Sequence, residues 1–414
     1  MFRMAIGLFV SVAVARHLGP EDFGLLNYAM SVVALVGVIS QLGLKELARR
    51  ELVESPERHN EIIGTCFVLN LVAGVVIYSV MLWFVFKQTD SSLIIGLFAL
   101  LGCPLLISSL SYVELWFQSQ VRSDLSVLAA SISLVIFAGL KLAAIMEGAG
   151  LIVFGYLFLF EAITLCLLQI YFYQKHFGSI FQWQVRWRIA VNLLRQSWPL
   201  ILSGLAIMVY MKTDQVMLGA MLGDEAVGQY SVAVRISTVW YFIPSILAAS
   251  LFPAILNARR QSKALYEKRL QDYFDLNAGL AYLIAIPLSV AAPWIVRILF
   301  GEVYQPAGPI LSIHAWSCLF VFLGVARGQY LTAEKLFKFS MLSTGIGSIL
   351  NVLGNYYLIP KLGGSGAAFA SLFSQIIAAV ITCFIHRETK VVGYKLLNSI
   401  FFRSTLMKVF RIKT

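Results

Sequence analysis

Apolar runs of about twenty residues alternate with short polar segments along the whole chain, and a helix needs about that length to cross hydrocarbon. Ile62 to Phe86, Leu93 to Tyr112, Leu125 to Met146 and Leu151 to Tyr173 are such runs in the first half. The second half repeats the plan with Pro199 to Leu222, Val227 to Ile255, Leu276 to Leu299, Ala307 to Leu331, Met341 to Ile359 and Ala367 to Ile385. Phe23 to Leu44 and a shorter opening run, Met4 to Ala15, complete the set. With Arg3 before it and Ala13-Val14-Ala15 at its end, the opening run also has the form of a signal peptide. The turn and further apolar run that follow at once favour a first span. The pattern predicts an all-α polytopic membrane protein of about 12 transmembrane helices, because hydrocarbon admits only structures that satisfy their own backbone.

One polar turn occurs twice. Leu18-Gly19-Pro20-Glu21-Asp22-Phe23-Gly24 returns half a chain later as Leu222-Gly223-Asp224-Glu225-Ala226-Val227-Gly228, each copy between two apolar runs. Glycine permits backbone angles that other residues resist, and the acids suit the positive first turn of a following helix. The recurrence predicts two parallel six-helix halves around a central cavity. The halves are read as residues 1–173 and 199–386, followed by a basic tail at 387–414. Between the halves lies a linker, residues 174–198, where Lys175, Arg186, Arg188 and Arg195 interleave with Phe177, Phe181, Trp183 and Trp187 in the manner of a segment lying in the membrane interface.

Composition agrees with this reading: 59% of residues are hydrophobic and 13% charged, about half the charged fraction usual in soluble domains. Most of the 32 lysines and arginines fall on the even-numbered connections and the tail, which places those sides and both termini in the cytoplasm by the positive-inside rule. Topology and contact with anionic headgroups account for the net charge of +11, so no nucleic-acid partner is implied. Five single cysteines and five dispersed histidines form neither a disulfide framework nor a metal site. No G-x-x-x-x-G-K-[ST] loop is present, and no cofactor is expected.

Charges inside spans are costly and usually face a bundle interior or water. Here the candidates for binding substrate are Lys141, Lys212, Arg235 and Arg297, with Asp214 and Glu161 as candidate proton or cation sites. A base-rich interior suits an anion, a phosphate above all. Lys212 and Asp214 also stand close enough to pair locally, and Lys141 and Arg297 near enough to a helix end to snorkel. Arg49 and Arg50, with Arg58, are topology determinants or receive a phosphate at the cytoplasmic mouth.

The stretch Ala15-Arg16-His17-Leu18-Gly19-Pro20-Glu21-Asp22-Phe23-Gly24-Leu25-Leu26-Asn27-Tyr28-Ala29 resembles the polysaccharide-transporter branch of the superfamily that also holds multidrug extruders and lipid II flippases. So do Leu42-Gly43-Leu44, Arg50-Glu51-Leu52-Val53, Pro56-Glu57-Arg58 and Ile63-Gly64-Thr65. The resemblance implies a Wzx-type flippase that moves a polyprenyl-diphosphate-linked oligosaccharide, an O-antigen or capsule repeat unit, across the bacterial inner membrane by alternating access, without enzyme chemistry. It implies membrane lipids, and a polysaccharide polymerase and chain-length regulator, as partners. It also implies a first helix longer by about a dozen residues, the length a full span requires. A multidrug extruder, for which an acid-rich interior is expected, and a membrane-embedded polymerase, which needs a large outer loop, are the rival readings.

Overall fold

The computed structural model describes residues 2–402 as helices joined by short turns, with no strand among them. Ten helical segments in this range are long and apolar enough to cross a membrane. Two of them, Arg3–Ser40 and Phe337–Phe384, would measure roughly 55–70 Å as single straight rods at 1.5 Å per residue, about twice the hydrocarbon thickness. Each is interrupted by a residue with non-helical angles, Gly19 in the first and Gly363 in the second. Counted on either side of these breaks, the ten segments supply the twelve spans that hydropathy predicts.

The described residues form two compact units that divide between Lys212 and Thr213. The first contains α1 (Phe2–Ser40), α2 (Leu44–Glu54), α3 (His59–Gln88), α4 (Ser92–Gly102), α5 (Pro104–Ile107), α6 (Tyr112–Ser119), α7 (Ser123–Met146), α8 (Leu151–His176) and the start of α9 (Trp187–Leu222). The expected fourth span is broken between α4 and α5 at Cys103-Pro104, because proline supplies no N–H to the turn before it, and between α5 and α6 at the 3-10 turn Ser108–Ser111. The charged stretch after the second span folds as α2, an amphipathic helix that buries Leu44, Ala48 and Leu52 against Ile62, Cys66, Tyr112 and Trp116. Burial pulls the Lys45 ammonium on this helix below its ordinary pKa, with the neighbouring Glu114 opposing the shift.

The linker divides into an extended strap and the first turns of α9, which runs unbroken through Pro199 into the seventh span. Ala190, Leu193 and Ser197 are buried at helical spacing while Trp187, Arg188 and Trp198 are exposed, so this part of α9 has the one-sided pattern of an interfacial helix. The strap lies on α3. Gln184 N–H donates to the Asn60 carbonyl at 3.1 Å, Arg186 N–H to Thr65 Oγ1 at 3.0 Å, and the Arg186 guanidinium to Glu61 at 2.9 Å. Gly64 permits this approach, since a Cβ there would stand 2.7 Å from the backbone N and O of Gln184. Gly64→Val is therefore expected to lift the strap and destabilise the protein by about 1–3 kcal/mol, read as a lowered midpoint of thermal unfolding in detergent.

The second unit takes the remainder of α9, then α10 (Asp224–Thr238), α11 (Ile243–Gln261), α12 (Lys263–Phe300), α13 (Ala307–His314), α14 (Ser317–Ala333), α15 (Phe337–Ala379) and α16 (Lys390–Ile400). Its core joins Phe252, Phe274, Phe322, Ala326 and Leu396. The outer face of α12 carries Leu283, Val290, Trp294 and Ile298, each 62–71% exposed, an apolar stripe suited to lipid. The two copies of the repeated turn share a backbone conformation: Gly19 has φ 74°, ψ 175° and Gly223 has φ 87°, ψ −179°. A Cβ on either would meet nothing within 4 Å, so the positive φ and not close packing calls for glycine there.

Candidate functional site

The most elaborate polar site within a span is centred on Asp214 of α9, which is 5% exposed. Its Oδ2 accepts hydrogen bonds from Tyr230 Oη of α10 at 2.5 Å and from Ser371 Oγ of α15. Its Oδ1 accepts from Asn351 Nδ2 at 3.0 Å and Asn355 Nδ2 at 2.6 Å, both on α15. Asn351 and Asn355 are four residues apart, one helical turn, and so present their amides on one face. Tyr230, Asn351, Asn355 and Ser371 are all at most 4% exposed. Beside them His314 of α13 shares a 2.7 Å hydrogen bond with Ser237 Oγ and stands edge-on to Tyr230 at 6.1 Å between ring centroids.

A carboxylate out of water is tolerated when donors replace its hydration, and four donors do so here. Asn355 Oδ1 is buried without a hydrogen-bond partner, so the cluster offers one negative charge and a spare neutral oxygen. The carboxylate is thus already held by four donors, and a proton or cation would have to take the place of one or more of them. Divalent ions favour several carboxylates, and among the described residues no group of three or more His, Cys, Asp or Glu is placed to hold a metal.

The other sequence candidates go to different places. Lys141 of α7 and Glu161 of α8 meet in an ion pair at 2.6 Å, and the Lys141 ammonium also stands 3.8 Å from the centre of the Phe158 ring. The structure thus brings a substrate candidate and an ion-site candidate into one local pair. Their side chains are 7% and 25% exposed, so either single truncation, Lys141→Met or Glu161→Leu, is expected to destabilise by about 1–3 kcal/mol. The double variant is expected to recover most of that loss, since it leaves no unpaired charge, and thermal unfolding of the four proteins forms the cycle that checks it.

Arg297 is exposed and pairs at 2.5 Å with Glu302, just beyond the end of α12. Arg49 pairs with Glu46 at 2.9 Å, while Arg50 lies 3.6 Å from Glu51 and 3.7 Å from Glu54, all on the surface of α2. Lys212 is half-buried on α9. Arg235 on α10 is exposed, although it lies within a span, and makes no ion pair among the described residues. The five cysteines carry free thiols, three of them fully buried as packing residues.

Sequence reading missed the partners of Asp214, although a pair of asparagines one turn apart in an apolar run was a visible signal. It also passed over Arg327 of α14, which is 6% exposed and donates to the Ala378 carbonyl at 2.6 Å and to Ser343 Oγ at 3.1 Å. Arg327 binds the last turn of α15, where carbonyls lack intrahelical donors and the helix dipole favours a cation.

The sequence pattern of the polysaccharide biosynthesis protein family matches residues 1–259, well over half of the chain. The chain belongs to that family. A second pattern, MatE, matches residues 199–357. Among curated relatives of this family member, a probable flippase of Haloferax volcanii, AglR, is 24% identical over 406 residues, covering 91% of this chain and 79% of the relative. Solved transporters of low sequence identity share the fold. An inward-facing multidrug resistance MATE family transporter superposes with a TM-score of 0.72 at 16% identity, covering 98% of this chain and 96% of that one. The lipid II flippase MurJ in an inward closed conformation superposes at 0.70 and 16% identity, covering 99% and 91%. These likenesses establish an all-α polytopic membrane fold.

Proposed function

We propose that this member of the polysaccharide biosynthesis family is a flippase for a lipid-linked oligosaccharide. The observation that carries this reading is the family match over residues 1–259, joined to the likeness to AglR, which is named a probable flippase. The finer reading is a polyprenyl-diphosphate-linked O-antigen or capsule unit moved outward across a bacterial inner membrane, with both termini cytoplasmic. The uneven distribution of lysine and arginine supports that orientation. Arg235 and Lys212 serve the diphosphate, the Asp214 carboxylate takes the coupling proton or cation in exchange for its hydrogen-bond donors, and alternating access exposes the substrate to each leaflet in turn. No bond is made or broken in this mechanism. The polymerase and chain-length regulator stand downstream, consuming what is delivered.

The MatE match and the MATE structural neighbour favour multidrug extrusion as a second reading. Deleting the gene separates the two. The flippase reading expects loss of surface polysaccharide with complete lipid-linked units accumulating on the cytoplasmic leaflet. Complete units gathering unpolymerised in the outer leaflet would overturn it, as would intact polysaccharide accompanied by drug sensitivity.

A further inference from the structure

Away from the Asp214 cluster, a cleft of about 460 Å³ opens at the charged end of the second unit, where α11 ends, α12 begins and α16 packs alongside. Its cations are Arg259, Lys263 and Lys395 and its acids Glu267 and Glu334. The acids are engaged. Glu334 accepts from Arg259 at 3.1 Å and from the Tyr266 hydroxyl at 3.2 Å, and Glu267 lies 3.9 Å from the Lys395 ammonium. Lys263 makes no ion pair among the described residues, and the amino end of the 38-residue α12 adds its positive pole at the same mouth. Ser262 caps that end by accepting from Leu265 N–H at 3.1 Å, leaving the N–H groups of Lys263 and Ala264 without an acceptor among the described residues. Burial also lowers the pKa of the Lys395 ammonium against the pull of Glu267 and Asp275, as expected of a partly desolvated cation. The lining thus sets three cations against two acids, and Lys263 is the cation that no acid among the described residues pairs.

The neighbouring helix indicates where the anion comes from. With 11 residues, α16 is too short to span a membrane. One face buries Val392, Leu396 and Ser399, while the opposite face exposes Val391 by 51% and Tyr394 by 61%, with Phe401 just beyond at 61%. A short helix with an uncovered apolar and aromatic stripe beside a cationic surface lies in the headgroup layer. We propose that this cleft binds the headgroup of an anionic phospholipid, its phosphate held by Lys263, Lys395 and the amino end of α12, with α16 inserted beside it. The site is independent of the transport reading and of the assigned orientation, because it concerns one end of one unit.

The test uses the full chain purified in detergent, with binding followed by native mass spectrometry and thermal unfolding during titration with phosphatidylglycerol, phosphatidylcholine or inorganic phosphate. The expected result is saturable binding and stabilisation by phosphatidylglycerol alone. Lys263→Gln is expected to weaken it about fivefold and Lys263→Glu roughly thirtyfold, following the attraction of one and two charges near a lipid surface. Lys338→Glu, on an exposed residue outside the cleft, is expected to leave binding unchanged. Equal binding of phosphatidylcholine would overturn the proposal, as would indifference to both Lys263 variants. Equal stabilisation by inorganic phosphate would overturn it in favour of a soluble anion. Lys263 is exposed, so both variants are expected to fold, and the wild-type lipid comparison stands without them.

Discussion

Asp214→Asn is expected to reduce delivery of surface polysaccharide at least tenfold and to abolish whatever dependence on proton or cation gradient the wild-type protein shows. The substitution keeps the size of the side chain and removes its charge. It also replaces one acceptor oxygen by an N–H group that then faces donors, because Tyr230, Asn351, Asn355 and Ser371 all aim hydrogens at this carboxylate. Leaving one or two of those buried donors unsatisfied costs about 1–3 kcal/mol each, so the midpoint of thermal unfolding should fall as well. The two consequences are separable. Asn355→Asp, which replaces a donor to Asp214 by a second carboxylate beside it, is expected to change ion preference at a further cost in the unfolding midpoint. Surface glycan in a deletion strain measures delivery, and uptake into vesicles under imposed gradients measures coupling. Wild-type delivery with undiminished ion dependence in Asp214→Asn would remove the site from the mechanism.

The double variant Arg235→Ala, Lys212→Ala is expected to lose at least a hundredfold in transport with a smaller change in stability. Arg235 makes no ion pair among the described residues, so its truncation leaves no counter-charge unpaired. A charge-assisted hydrogen bond to a diphosphate contributes about 1.5–3 kcal/mol, and losing two gives about the stated effect. Arg235→Lys alone should recover only part of the activity, since lysine keeps the charge and loses the two-pronged geometry. The measurement is surface polysaccharide in a deletion strain, normalised to the amount of folded protein in the membrane. Normal polysaccharide from the double variant would show that the substrate's charge is met elsewhere.

The sequence carried much of the architecture and little of the polar site. Hydropathy found the spans because partition into hydrocarbon is decided segment by segment, each stretch of about twenty residues by itself. The repeated Leu-Gly-x-Glu turn found matching backbone geometry at Gly19 and Gly223 because a positive φ is a local demand on one residue. Even the first break of the fourth span was written locally, in Pro104.

Which charges meet was decided elsewhere. Asp214 lies 137 and 141 positions from Asn351 and Asn355 and 157 from Ser371, and no periodicity in a single helix marks them as partners. Lys141 and Glu161 were read as a substrate contact and an ion site, yet packing of α7 against α8 makes each the other's counter-ion. Arg327 was overlooked because its meaning depends on α15 ending beside it. Local free energies of transfer and backbone strain are legible in a chain read from end to end. Desolvation of a charge depends on which helices surround it, and only the tertiary structure sets that.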